Sequence, residues 1–260
     1  MTIKTYYQIC PQYHPIYLQS SHKYGTITPR TFKPIIFPKE VLMSIKLFLS
    51  RHGSSQAYEN IDAEEDVFRQ TRFTPLSRDG IMDARKLAMY VSQLRPDVLL
   101  CSPFRRAQQT AEIVTEYNSY LFPNAIDDLG EIRRIVDGQS IYGDLNLRYK
   151  KWRGDAIRRR DLNSRFHPKD ESFGEASKRS VRVVRWIENE FDNQTVLVIG
   201  HSQLEAMMIT AMLEGDNPHP AVFFDSFNRH FMAHCAVTTM EKTPRSGWKM
   251  KKFNDTSHLK

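Results

Sequence analysis

The chain has 260 residues and a formal net charge of +7, and 40% of its residues are hydrophobic and 26% charged. This composition excludes a disordered or fibrous protein, and the length fits one large domain or two small ones. The longest apolar stretch without a charge, between Asp192 and Glu205, is too short to cross a bilayer, and no secretory signal opens the sequence. We therefore expect a cytoplasmic protein whose separated cysteines, Cys10, Cys101 and Cys235, are reduced thiols.

The positive charge is concentrated in two segments. Residues 1–44 carry five lysines and arginines against one acid, and residues 148–185 carry thirteen against five. Such segments favour an anionic partner, which could be a nucleic acid, an acidic membrane surface or a phosphorylated small molecule. Residues 1–44 also hold five prolines without a sustained periodicity. We interpret them as an N-terminal extension before a domain at 45–260, which contains a basic, irregular insertion around 140–170.

From residue 45 onward, apolar runs alternate with helical patterns. Ile45–Ser50 is predicted as a buried strand, Arg78–Leu94 as an amphipathic helix and Val98–Cys101 as a second strand. Ser102 is expected to cap the next helix and Pro103 to open it.

The second half repeats this alternation, with two Ser-x-x-Glu capping boxes that each predict a helix start. The predicted features are, in order, a box at Ser172 and Glu175 for a helix reaching about Phe191, a strand at Thr195–Gly200, a box at Ser202 and Glu205, and a late strand at Phe231–Met240. Strands alternating with helices favour an α/β fold with a mostly parallel sheet covered by helices on both faces, that is, a three-layer α/β/α architecture.

Basic and imidazole side chains follow three of these strands. Arg51 and His52 come after the first, Arg105 and Arg106 after the second, and His201 after the third. The carboxyl ends of parallel strands meet at one edge of a sheet, where ligands bind. An arginine in the first turn of a helix is disfavoured by the helix dipole, and a bound phosphate would remove that conflict. A neutral imidazole can attack phosphorus while guanidinium groups neutralise the phosphoryl oxygens.

The motifs that carry these residues resemble those of a known family. They are SRHG at 50–53, CSPFRRAQQTA at 101–111 and IGHS at 199–202, with PLSRDGIMDARKLA at 75–88 and ESFGEASKR at 171–179 between them. In this order they resemble the histidine phosphatase superfamily, also called phosphoglycerate-mutase-like. The resemblance implies that His52 is the phosphorylated nucleophile, that Arg51 and Arg106 clamp the phosphate, and that His201 is the second pocket histidine.

The general acid is less directly indicated. His201 is followed by Ser202 and not by an aspartate, so the acid should lie elsewhere. LGE at 129–131 resembles the family's LxE motif and makes Glu131 the candidate. Alignment on Gly138 instead would place Arg134 at that position.

A serine hydrolase is the main alternative. GHSQL at 200–204 is one residue from the GxSxG nucleophile elbow, and Asp225 with His230 or His234 would complete a triad around Ser202 in a permitted chain order. Leu204 stands where the elbow needs its second glycine, and this alternative leaves the strand-end arginines unexplained.

Two further functions, nucleic-acid binding and metal binding, can be compared with the sequence. Arg148–Arg160, with Tyr149 and Trp152 as stacking partners, could bind nucleic acid, although we do not expect this because basic stretches are usually solvated. His230 and His234 fall in the predicted late strand, where four residues span about 13 Å, too far to share one ion. We therefore expect no metal and no cofactor, and a small phosphorylated substrate that is either hydrolysed or transferred as in phosphoglycerate mutase.

Overall fold

The computed structural model describes residues 44–56, 72–132 and 144–260. These ranges leave out the predicted extension before residue 44 and residues 62–66, together with Cys10, Arg134 and Gly138. Within them, no helix is long and apolar enough to cross a membrane. Cys101 and Cys235 are free and buried, as the sequence predicts.

A six-stranded sheet forms the centre of the described region, with the strand order β3-β2-β4-β1-β5-β6. The strands are β1 Ile45–Arg51, β2 Val98–Cys101, β3 Pro123–Ala125, β4 Thr195–Gly200, β5 Val237–Thr243 and β6 Gly247–Asp255. β1 to β4 pair in parallel, whereas β5 and β6 join antiparallel at one edge. The predicted mostly parallel sheet is confirmed.

Six α-helices flank this sheet in the described residues. They are α1 Arg78–Leu94, α2 Arg105–Tyr117, α3 Asp144–Arg159, α4 Phe173–Glu190, α5 Ser202–Glu214 and α6 Pro220–Arg229, with short 3₁₀ turns at Asp127–Leu129 and Ser257–Leu259. Leu47 and Leu49 of β1 pack in one apolar cluster with α4 and α5, whereas Phe48 packs in another with α1 and α2. Both faces of β1 are therefore buried at its centre, which is why three consecutive residues, Leu47, Phe48 and Leu49, are apolar. The three-layer prediction is confirmed.

Two of the predicted helix starts are observed as expected. Ser77 caps α1 by accepting a hydrogen bond from the Gly80 N–H, and α1 has the predicted bounds. Ser172 and Glu175 form the reciprocal capping box of α4. Each cap is worth about 1 kcal/mol because it satisfies backbone N–H groups that have no partner within the helix.

The caps predicted at Ser102 and Ser202 are wrong. α2 begins at Arg105 with Phe104 at its N-cap and without a side-chain cap, so neither Ser102 nor Pro103 opens it. Likewise, α5 begins at Ser202 itself, with His201 at the N-cap. In both cases the serine hydroxyl is committed to a tertiary contact, described below, and is not free to cap.

The C-terminal region also differs from the prediction. The late strand begins at Val237, and residues 231–236 form a partly buried loop whose apolar residues resemble a strand in sequence. The sequence analysis missed α3, α6, β3 and β6. Lysines and other exposed residues along β6 hide its strand pattern, because this edge strand faces solvent for much of its length.

Candidate active site

The side chains that follow β1 and β4 lie together at the carboxyl edge of the sheet. Arg51 is paired with Gly200 in the parallel register of these strands, so His52 and His201 leave adjacent strands at the same level. Their ring centroids are 5.0 Å apart in an edge-to-face arrangement. Arg106 reaches between them, and all three side chains are buried. The expected juxtaposition at one sheet edge is observed.

The loop that carries His52 is fixed on three sides. The His52 N–H donates to the Gly200 carbonyl at 3.0 Å, and the Gly53 N–H donates to Thr110 Oγ1 on α2 at 3.1 Å. A Cβ atom on Gly80 would lie 1.9 Å from the Ser54 carbonyl oxygen, so only glycine lets α1 approach the loop this closely. The position of the imidazole is therefore set by backbone contacts and does not depend on a flexible loop.

The hydrogen bonds of His52 define its tautomer. Its Nδ1 lies 2.6 Å from the Gly53 carbonyl oxygen, which can only accept, so Nδ1 carries the proton. Its Nε2 accepts a hydrogen bond from Arg106 Nε at 3.0 Å, so Nε2 holds a lone pair. The ring thus presents an unprotonated nitrogen to a guanidinium group.

His201 has the opposite tautomer. Its Nδ1 lies 3.2 Å from Arg106 Nη2, a donor, and therefore accepts. Its Nε2 then donates to Ser102 Oγ at 2.8 Å, and this hydroxyl also accepts from the Phe104 N–H. Ser102 orients the second histidine, a role that the sequence analysis missed because it assigned this hydroxyl to a helix cap.

Both rings are neutral in this arrangement. Burial lowers the pKa of His52 and of His201 well below the usual value for histidine, and the charge of Arg106 lowers each further. A protonated ring would place a second positive charge against the guanidinium in a desolvated site.

We predict that nitrogen-detected NMR at pH 6.5 shows both rings neutral, His52 protonated at Nδ1 and His201 at Nε2. At this pH an unperturbed histidine is half protonated, so the two rings should remain neutral while exposed histidines titrate. An imidazolium pattern for either ring at pH 6.5, or the same tautomer for both, would contradict the network.

The two arginines predicted at the start of α2, Arg105 and Arg106, point in different directions in the structure. Arg106 faces the histidines, whereas Arg105 points to the surface and pairs with Glu112 at 2.7 Å. Arg51, the last residue of β1, donates from Nη1 to the Met232 carbonyl at 3.1 Å. Burial lowers the pKa of Arg51, against the charges of Glu131 and Glu205, which raise it. Arg51 and Arg106 are thus the two cations placed to meet an anion here.

Glu131 lies close enough to influence this cluster electrostatically without contacting the histidines. It follows the 3₁₀ turn at Asp127–Leu129, and its Oε1 accepts a hydrogen bond from the Ile132 N–H at 2.9 Å. Within the described residues, no hydrogen bond joins it to His52 or His201. Glu131 is half-buried beside the cluster.

The turn that carries Glu131 is held by Arg179 of α4, which the sequence analysis did not identify. Arg179 forms a two-pronged ion pair with Glu171 at 2.8 and 2.7 Å. It also donates to the carbonyls of Asp128 and Gly130 at 2.6 and 2.7 Å. Its side chain is 3% exposed, so these contacts are made away from water. In the sequence, the signal for this role is the arginine of the ESFGEASKR motif, which is Arg179.

We predict that Arg179→Met lowers the free energy of unfolding by about 3–5 kcal/mol, because it leaves the buried Glu171 charge without its arginine. Urea denaturation measures this loss. The control is Arg182→Met on the same helix, whose 3.5 Å pair with Asp128 is largely exposed and should cost less than about 1 kcal/mol. Equal losses in the two variants would contradict a buried structural role for Arg179.

A third histidine borders the site. His234 Nδ1 donates to the His52 carbonyl at 2.9 Å, and the two rings are 5.3 Å apart. The strand that was predicted to hold His230 and His234 is wrong: His230 is the C-cap of α6 and contacts Ser226, and His234 lies in the following loop. Among the described residues, no three potential ligands gather around a metal position.

The serine hydrolase alternative does not match the geometry. Ser202 Oγ accepts a hydrogen bond from the Met232 N–H at 3.0 Å and contacts neither candidate histidine. His230 and His234 bond to Ser226 and to the His52 carbonyl, and Asp225 is exposed on α6. Among the residues that the structure describes, no Ser-His-Asp triad is assembled around Ser202.

The basic insertion contains a helix with a groove beside it. Arg148, Lys151 and Arg159 of α3 line this groove, which has a volume of about 420 Å³. Of the two aromatic residues considered for base stacking, Trp152 stacks on Phe173 and Tyr149 packs edge-on against Phe166. These rings therefore contribute to packing within the protein.

Comparison with known proteins agrees with the site. The model of the histidine phosphatase superfamily (branch 1) matches residues 47–256. The uncharacterized phosphatase PhoE of Bacillus subtilis (strain 168) is 24% identical over 213 residues, which are 81% of this chain and 95% of that protein. The adenosylcobalamin/alpha-ribazole phosphatase of Escherichia coli (strain K12) is 27% identical over 181 residues, 65% of this chain and 79% of that protein. The solved structure of Bacillus stearothermophilus YhfR has a TM-score of 0.64 at 20% identity and covers 83% of this chain and 100% of its own.

An α/β sheet with two histidines and two arginines at its carboxyl edge defines a class of enzymes that act on phosphate groups. The chain belongs to the histidine phosphatase superfamily (branch 1). It is a phosphatase, that is, an enzyme that hydrolyses phosphate monoesters. The family resemblance stated from the sequence is confirmed.

Proposed function

We propose that the phosphatase acts through a phosphohistidine on His52, with Arg51 and Arg106 binding the phosphoryl group and His201 as the second pocket histidine. One observation carries this proposal: the Nδ1 proton of His52 is anchored on the Gly53 carbonyl, so the Nε2 lone pair is directed into the cluster. A neutral, fixed imidazole nitrogen is what attack on phosphorus requires.

The first step forms the bond between His52 Nε2 and phosphorus and breaks the bond between phosphorus and the ester oxygen. Because Arg106 Nε donates to the Nε2 lone pair, the guanidinium must turn its donors to the phosphoryl oxygens when substrate binds. Arg51 and Arg106 then neutralise the charge on these oxygens. The positive charge that develops on the ring is shared with the Gly53 carbonyl through Nδ1.

Glu131 is the proposed general acid. In the first step it gives a proton to the departing alkoxide, and in the second its carboxylate takes a proton from the water that attacks phosphorus. The second step breaks the nitrogen–phosphorus bond and releases inorganic phosphate, so His52 returns to its neutral state. Support for Glu131 comes from its proximity to Arg51 and from the Arg179 contacts that fix its turn.

We propose a small phosphorylated substrate and a catalytic domain that spans 45–260, with 1–44 as an extension and the basic insertion around 140–170 next to the site. The charge of α3 and of its neighbours would raise the local concentration of anionic substrates. The phosphatase relatives that match this chain support the substrate class.

The test is the hydrolysis of an aryl phosphate and of the corresponding aryl acetate by the purified protein, followed by a panel of phosphorylated metabolites. We expect inorganic phosphate from the phosphate ester and no turnover of the acetate. Isomerised phosphoesters without net phosphate release would indicate phosphoglycerate-mutase-type transfer with the same residues. Acetate turnover alone would overturn the proposal.

A further inference from the structure

Glu205 is a carboxyl residue in the first turns of α5 that the proposed reaction does not use. Its side chain is completely buried, and neither carboxyl oxygen has a hydrogen-bond partner of good geometry within the described residues. The predicted capping role is wrong, since the Ser202 hydroxyl is bonded to Met232. An unpartnered buried carboxyl costs free energy, so its presence here needs an explanation.

The backbone places this carboxyl beside Arg51. A Cβ atom on Gly200 would lie 3.1 Å from Glu205 Oε1, so the carboxyl packs directly against the Gly200 backbone. Gly200 is in turn the strand partner of Arg51, and paired Cα atoms on neighbouring strands are about 5 Å apart. Arg51 also has a buried atom, Nε, without a hydrogen-bond partner in the described region. Two incompletely bonded buried groups therefore share Gly200 as a neighbour at the edge of the phosphate site, and each acts electrostatically on the other.

Three groups act on the Glu205 carboxyl from the elements around it: Arg51 at the end of β1, Glu131 after its 3₁₀ turn, and the backbone of Gly200. Burial, the largest effect, raises the pKa of Glu205 to about 8; Arg51 lowers it, and Glu131 raises it. Glu205 thus retains its proton at pH 7. A protonated carboxyl leaves the charge of Arg51 uncompensated. A carboxylate packed against Gly200, the strand partner of Arg51, would cancel much of that charge in a desolvated site.

We propose that Glu205 is a positioning residue for the phosphate site: it packs against Gly200, the strand partner of Arg51, and sets how much of the guanidinium charge acts on the phosphoryl group. This inference rests on the proposed function. Ionisation of Glu205 adds a negative charge where the substrate dianion binds, so the affinity for phosphate falls as pH rises through the titration of this group.

The experiment compares the wild-type protein with Glu205→Gln, measuring the dissociation constant of inorganic phosphate by calorimetry from pH 6.5 to pH 9. The wild type should lose about tenfold in affinity between pH 7 and pH 9 relative to the variant, as expected for one proton titrating near pH 8. Glutamine keeps the neutral state at every pH and should abolish this loss. Cys235 also acts on Arg51, but burial raises its pKa to about 12, so it does not titrate in this range.

The matched control is Glu188→Gln, another buried carboxyl, which pairs with Lys242 and Arg185. It should follow the wild-type pH dependence. Superimposable curves for wild type and Glu205→Gln would overturn the inference, whereas absence of aryl phosphate hydrolysis by the wild type would overturn the proposed function instead.

Should Glu205→Gln not fold, infrared spectroscopy of the wild type provides the test. We expect a protonated carboxyl band at pH 7 that disappears with a midpoint near pH 8. The other described carboxyls with a shifted pKa, Glu175, Glu188 and Asp255, are all shifted downwards. Absence of this band at pH 7 would overturn the inference.

Discussion

Replacement of His52 by alanine is expected to lower kcat for aryl phosphate hydrolysis by about 10⁴-fold or more. Loss of a nucleophile that forms a covalent intermediate typically has an effect of at least this size. In the proposed mechanism Arg51 and Arg106 still bind phosphate in this variant, so the dissociation constant of inorganic phosphate should change far less than kcat. Steady-state kinetics together with calorimetry separate these two effects.

The control for this variant is Ser202→Ala. Its hydroxyl accepts a hydrogen bond from the Met232 N–H, and the Met232 carbonyl accepts from Arg51. Loss of that hydroxyl should reduce activity by no more than about tenfold, in line with the roughly 1 kcal/mol of a single hydrogen bond. A large loss in Ser202→Ala with activity retained in His52→Ala would make the serine the nucleophile and contradict the proposed mechanism.

The second large effect is expected at Arg106. Its guanidinium bonds to both histidines through different nitrogen atoms, Nε to His52 and Nη2 to His201. Lysine keeps the charge but has one nitrogen and cannot reproduce this planar arrangement on the rings or on phosphoryl oxygens. We expect Arg106→Lys to lower kcat/KM by about 10²- to 10³-fold, the range found when one preorganised donor to a transition state is removed.

The neighbouring arginine supplies a matched control. Arg105 precedes Arg106 on the same helix but pairs with Glu112 at the surface. Arg105→Lys should keep kcat/KM within about twofold, since exposed pairs contribute little. Equal losses in the two variants would show that the charge of this helix, and not the geometry of Arg106, determines activity.

The strand-end histidines could be predicted from the sequence because the physics that places them is local. Short, mostly apolar runs that alternate with amphipathic helices are typical of central strands in a parallel sheet, and such strands end together at one edge. His52 and His201 follow two such runs. Arg106 was chosen over Arg105 through the family resemblance, because the local pattern does not show which of the two arginines faces the strand edge until the start of α2 is known.

The roles of the serines could not be predicted, because a hydroxyl that fits a helix cap also fits a tertiary contact. Ser102 and Ser202 both match a capping pattern. However, the Ser102 hydroxyl is hydrogen-bonded to His201 and the Ser202 hydroxyl to Met232, and both partners are far away in sequence. Glu205 was misassigned for the same reason. Its burial beside Arg51 depends on the register between β1 and β4, which no local pattern specifies.

The central claim is that phosphorus is transferred to His52 during turnover. Rapid-quench trapping with a ³²P-labelled aryl phosphate tests it most directly, with the labelled peptide identified by mass spectrometry. We expect an adduct on the peptide containing His52 that is labile in acid, stable in base and formed and lost at rates compatible with kcat. An acid-stable adduct on Ser202, or none on any residue during active turnover, would contradict the account.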